Sequence, residues 1–94
     1  MTDQQSSTPW SIERVVSVLR AMADEDELPE HLKAAQITGQ DTVETLGLDS
    51  LGAVYLIERL ELEAGVALPD DFIEFEDSIA VIAQRINQLL GRKG

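Results

Sequence analysis

Apolar residues recur at intervals of three and four in three separate stretches of this chain, which commits most of its length to amphipathic helices. In the first stretch Ile12, Val15, Val16, Leu19 and Met22 form one stripe, with Glu13, Arg14, Ser17 and Arg20 left outside. In the second, Leu51, Val54, Ile57, Leu60 and Ala64 face inward by spacing, while Ala53, Tyr55, Leu56 and Leu62 add apolar surface beyond a single stripe. A helix wetted on only one narrow side reads this way. The second helix should therefore sit between the others, with some apolar surface left for a partner. The third stripe is Ile79, Ile82, Ala83, Ile86, Leu89 and Leu90.

Local signals set the boundaries. Thr8-Pro9 supplies a capping hydroxyl followed by proline at the first helical position, so the first helix is predicted to begin there and to end near Ala23. Asp24-Glu25-Asp26-Glu27 would oppose the dipole at a helix C-terminus and belongs to the exit or the loop beyond. It lacks the central glycine and terminal glutamate of a calcium loop. Residues 28–49 form a long connection, with a short helical turn at 29–35 and with Ile37, Val43, Leu46 and Leu48 as anchors to the core. The second helix runs from Ser50 to about Ala64 and stops at Gly65. Residues 70–75 predict a brief helix with Asp70 and Asp71 at its favourable end, Asp77 caps the last helix, and Gly91-Arg92-Lys93 stops it. The expected fold is all-α, a small four-helix bundle of three main helices and a short third one. Residues 8–91 form its domain, between tails at 1–7 and 92–94.

Ninety-four residues bound the chain to a single small domain. There is no cysteine, so disulfides and thiolate metal sites are excluded and any thiol used in function must be brought in. A net charge of −11 argues against nucleic acid or an anionic membrane and favours a basic protein surface as partner. No apolar run approaches the ~20 residues that span a bilayer, and the polar opening is neither a signal peptide nor a transit sequence. A monomer in the cytoplasm is expected.

The residues with the most specific pattern are Leu46-Gly47-Leu48-Asp49-Ser50-Leu51. A glycine turn leads into a hydroxyl residue able to cap the helix behind it. The unpaired N–H groups and positive dipole of a helix start favour a phosphate on or near Ser50. As a catalytic nucleophile Ser50 would need a base within reach, and the chain's one histidine, His31, lies in the long connection. The plainer reading is that Asp49 and Ser50 merely cap the helix.

Leu-Gly-x-Asp-Ser-Leu entering an amphipathic helix resembles the phosphopantetheine attachment site of acyl carrier proteins. The resemblance continues through Leu68-Pro69-Asp70-Asp71 to the last helix. It implies that Ser50 carries 4'-phosphopantetheine, moved from coenzyme A by a separate phosphopantetheinyl transferase, and that the chain holds acyl groups as thioesters without catalysing their chemistry. It implies that Asp49, Leu51, Gly52, Val54, Tyr55, Glu58, Glu61, Asp70 and Asp71 are read by the transferase and by acyl-loading and acyl-processing enzymes with basic docking surfaces. A core of Val54, Ile57, Leu60, Leu68, Phe72, Ile79 and Ile82 would open to shelter the acyl chain, unless Phe72 and Phe75 narrow it and leave the cargo exposed. Eleven acids against the single base Arg59, from Asp41 to Asp77, supply a field that steers such partners.

The chain also departs from that pattern. Gly52, Tyr55 and Leu62 stand where fatty-acid carriers often have acids, Arg59 adds a positive charge, and Thr42 falls where an aromatic is frequent. These differences favour a specialised pathway, of the polyketide or modified-lipid kind, over housekeeping fatty acid synthesis. Gly52 also keeps an aminoacyl or peptidyl carrier, such as a D-alanyl carrier, open as an alternative. An unmodified helical interaction module is the third reading.

Overall fold

The computed structural model describes residues 9–34, 36–69 and 71–91. They form three α-helices: α1, Ile12–Asp24; α2, Ser50–Ala64; and α3, Ile79–Leu89. A 3-10 turn, Glu30–Lys33, sits in the connection between α1 and α2, where the sequence predicts a short helical turn. Among the described residues there is no strand, only an isolated bridge between Thr42 and Ser78. The fold is all-α.

The first helix begins later than Thr8-Pro9 predicts. Ser11 is its cap, and the hydroxyl oxygen accepts the N–H of Arg14 at 3.1 Å. The chain ahead of it is drawn into another interaction: the Trp10 N–H donates to Asn87 Oδ1 at 2.7 Å, and Asn87 Nδ2 donates to the Trp10 carbonyl at 2.9 Å. Thr8 lies outside the described residues. The buried face of α1 is Val15, Val18, Leu19, Met22 and Ala23; Val16 packs half-buried against it, while Ile12, expected inside, is exposed. This helix packs against the 3-10 turn as well as against α2 and α3, which widens and turns its buried side. Ile12 instead leans on Gly39, where a Cβ would lie 2.6 Å from Ile12 Cδ1.

The second helix has the expected bounds. Gly65 ends it at φ +74°, a left-handed conformation that suits glycine, with its N–H on the Glu61 carbonyl. Leu56, Ile57 and Leu60 are buried, but Leu51 and Val54, expected inside, are exposed by 57% and 43%. Burial of Leu56 and Leu60 fixes the helix rotation, and Leu51, Val54, Tyr55 and Leu62 are turned outward by it.

The brief helix expected at 70–75 is replaced, in the described residues, by turns at 71–77. Side chains occupy the backbone groups such a helix would use: the Glu74 N–H donates to Asp77 Oδ2 and Arg85 donates to the Phe72 carbonyl. Asp70 lies outside the described residues. Asp77 does not cap α3; Ser78 does, accepting the Val81 N–H at 3.2 Å, while Asp77 is buried against Arg85. Along α3 Ile79, Ile82, Ala83 and Ile86 are buried as expected, whereas Leu89 is exposed. Gly91 follows at φ +74°, and Arg92 and Lys93 lie outside the described residues.

The long connection is held from both sides. Val43, Leu46 and Leu48 are buried and Ile37 half-buried, as expected, and Leu28 and Leu32 join them. Its backbone also pairs with the approach to α3: Val43 N–H to Asp77 O, Glu44 N–H to Phe75 O, Ile79 N–H to Asp41 O and Ala80 N–H to Gly39 O, all at 2.9–3.2 Å. Asn87 is 2% exposed, and its replacement by alanine strips both backbone groups of Trp10 of their partner. Asn87→Ala should cost about 1–3 kcal/mol, read as a lower urea midpoint at unchanged slope. The emission of the chain's only tryptophan reports it.

Candidate functional site

Ser50 is exposed and is the first residue of α2. The cap of this helix is Asp49, not Ser50. Asp49 has extended backbone and its Oδ1 accepts the Gly52 N–H at 2.8 Å, while its carbonyl takes the N–H of Ala53. The serine hydroxyl is thus released from capping. It stands at the positive end of a fifteen-residue helix, a position suited to a phosphodiester.

The turn that leads into Asp49 is closed by its own hydrogen bonds. Gly47 takes φ +78°, its N–H bonds the Glu44 carbonyl, and the Leu48 N–H bonds the Val43 carbonyl. His31 Nε2 lies 2.9 Å from the Leu46 carbonyl, so the one histidine is engaged with the turn before the serine. The buried side chains of Leu46 and Leu48 fasten this turn to the core.

Beside Ser50 runs a shallow groove of about 280 Å³. Ser50, Ala53, Val54 and Ile57 of α2 line one side; Asp71, Ile73, Glu74 and Phe75 line the other. Of the seven residues expected to form an acyl pocket, only Val54 and Ile57 border this groove. Leu60, Ile79 and Ile82 are fully buried, and Leu68 and Phe72 are each 6% exposed, so these five are packed core. Ile73 and Glu74 were not expected in the pocket, because residues 71–75 carry no helical period to assign their faces, and Ala53 was read only as extra apolar surface on α2. An exposed hydroxyl at a helix start, opening onto an apolar groove, fits a phosphopantetheine arm: the serine is reachable, and the arm has a surface to lie on.

The expected recognition residues divide. Leu51, Val54, Tyr55, Glu58 and Asp71 are exposed. Gly52 is buried, and a Cβ there would lie 3.3 Å from Asp49 Oδ1 and 3.5 Å from Leu28, so its missing side chain makes room for the cap and the core. Glu61 Oε2 accepts the Leu68 N–H at 2.7 Å and ties the end of α2 to the following link. No group of three or more His, Cys, Asp or Glu able to hold a metal occurs among the described residues.

Arg59, the odd base in the acidic region, is engaged with its neighbours. It makes a two-pronged contact with Glu25, at 3.0 and 2.8 Å, and lies 3.5 Å from Glu27 and 3.7 Å from Glu63. The hydrogen bond from Arg59 holds the Glu25 carboxyl below its ordinary value, and the same contact holds the Arg59 guanidinium more firmly protonated. A depressed carboxyl contributes stability that is complete above its unfolded pKa and is lost as pH falls through the folded one. Both groups border solvent, so the contribution is small. Arg59→Gln should return the Glu25 titration to the ordinary carboxylate range, followed by carboxyl NMR, and remove that increment of acid resistance.

No curated protein sequence and no solved structure matches the chain significantly. The family described as "Phosphopantetheine attachment site" matches it over residues 17–86, a span that contains Ser50 and the groove. Domains of this family are carriers that bind covalently attached 4'-phosphopantetheine, are modified by phosphopantetheinyl transferases, interact with other enzymes and are not themselves catalytic. With most of its length inside that match, the chain belongs to the phosphopantetheine-attachment family.

Proposed function

We propose that the protein is an acyl carrier whose arm is attached to Ser50. The observation that carries this reading is the exposed Ser50 hydroxyl at the first position of α2, freed from capping by Asp49 and opening onto the groove. In the loading reaction Ser50 Oγ bonds to the phosphorus that bears the pantetheine in coenzyme A. The bond from that phosphorus to the adenosine bisphosphate portion breaks, and the serine proton passes to a base of the transferase. Nothing in the chain has to supply that base, which accords with His31 being held at the Leu46 carbonyl. When bound, the arm supplies a terminal thiol that holds acyl groups as thioesters.

Asp49 sets the angle at which Ser50 is presented. Leu51, Val54, Tyr55 and Glu58 offer partners a surface that is apolar beside the serine and acidic further along α2. Asp71, across the groove, extends the negative field. Partners with basic docking surfaces are steered by it, and their association weakens as salt shortens the screening length below ~10 Å. Tyr55 and Leu62, where acids are frequent in fatty-acid carriers, support a specialised biosynthetic pathway.

Incubation with coenzyme A, Mg²⁺ and a broad-specificity phosphopantetheinyl transferase should add the mass of one phosphopantetheine to the native chain and none to Ser50→Ala. Because Ser50 follows the cap rather than forming it, Ser50→Ala should change stability by no more than about 0.5 kcal/mol. No mass gain on the folded native chain with several transferases would overturn the reading. Parallel offers of acyl and aminoacyl donors to the loaded protein identify the cargo class.

A further inference from the structure

The groove beside Ser50 has one wall that belongs to no helix. Asp71, Ile73, Glu74 and Phe75 form it, in a segment whose described residues are turns, a bend and irregular backbone. Such a segment has no helical ladder of its own and keeps its place through its anchors. One of them is Arg85 of α3, which grips the segment at two points. Its Nη1 donates to the Phe72 carbonyl at 3.1 Å and also pairs with Asp77 Oδ2, while Nη2 donates to Asp77 Oδ1 at 3.3 Å. Asp77 is 8% exposed, and its Oδ2 also accepts the Glu74 N–H at 2.8 Å. Phe72, Glu74 and Asp77 are thereby drawn onto a single guanidinium–carboxylate pair.

The groove this wall borders is open to solvent and small, about 280 Å³, room for a thioester and a short chain. Leu60, Ile79 and Ile82 are fully buried and do not line it, so a longer chain would gain cover from the core only if the wall or these side chains moved.

We infer that Arg85 is a positioning residue for the carried group: by holding the segment at Phe72 and Asp77 it fixes the outer wall of the groove and limits what the groove shelters to a short apolar acyl group. This rests on the reading of Ser50 as the attachment residue. Ile57, Ile73 and Phe75 supply the apolar lining for such a chain. Lysine at position 85 would meet Asp77 but lacks the planar fork that also reaches the Phe72 carbonyl. Glutamine would lose the charge pairing altogether.

Two experiments test it separately. In the unmodified protein, Arg85→Gln should speed hydrogen exchange at the Glu74 and Asp77 amides while α1 and α2 stay protected. Unchanged exchange at those two amides would overturn the clamp, whatever Ser50 carries. In the second, a broad-specificity transferase moves butanoyl-, hexanoyl-, octanoyl- or dodecanoyl-phosphopantetheine from the acyl coenzyme A onto the chain, confirmed by intact mass, and hydroxylamine cleavage of each thioester is followed. The native protein should slow cleavage of the short thioesters relative to free acyl coenzyme A and give the dodecanoyl thioester no such protection. Arg85→Gln should lose that dependence on length, and Arg85→Lys should restore part of it. Equal protection of hexanoyl and dodecanoyl by the native protein overturns the size limit without any variant. A native length profile in folded Arg85→Gln overturns the role of Arg85. A chain that accepts no arm overturns the Ser50 reading instead, and the exchange experiment still judges the clamp.

Discussion

The backbone seam between residues 39–44 and 75–80 is the constraint on which the rest depends. Three helices and a 3-10 turn leave long stretches of chain whose N–H and C=O groups have no helical partner, and buried groups of that kind are costly unless paired. The seam pairs Val43 with Asp77, Glu44 with Phe75, Asp41 with Ile79 and Gly39 with Ala80 across those stretches. It fastens the connection that ends at Ser50 to the segment that forms the far wall of the groove. Thr42, bridged to Ser78 and bonded to Thr45, serves this seam.

Charge is arranged around the same frame. The two arginines nearest the acidic half are both engaged, Arg59 with Glu25, Glu27 and Glu63, and Arg85 with Asp77 and the Phe72 carbonyl. Arg59 joins the exit of α1 to the outer side of α2. Arg85 joins α3 to the groove wall. Glu58 and Asp71 are exposed. The two arginines thus tie elements of the structure together.

The sequence made the local frame around Ser50 legible and left much of its packing hidden. The glycine turn, Asp49-Ser50 and the bounds of α2 are local signals, read from spacing and cap chemistry, and the structure has them in place except that Asp49 takes the cap. The late start of α1 could not be read in the same way, because the partner of Trp10 is Asn87, 77 residues along the chain. The same holds for the short helix expected at 70–75, which the described residues 71–75 do not form: acids at a favourable end predicted it, and Arg85 and Asp77 drew off its backbone groups. Rotation of a helix is a tertiary property as well. Leu51 and Val54 satisfy the inward spacing, yet Leu56 and Leu60 win the interior and turn them out.

The Trp10–Asn87 pair has a topological consequence. It joins the start of the described fold to the last turn of α3 through two hydrogen bonds, so the polypeptide enters and leaves the folded unit at one pole. A unit with that geometry can be inserted into a surface loop of another protein, or have its ends spliced and new ones opened elsewhere, without stretching its interior. In either setting Ser50 would keep its bearing relative to α2, because the turn and cap that orient it, at Gly47, Leu48 and Asp49, lie inside the described fold.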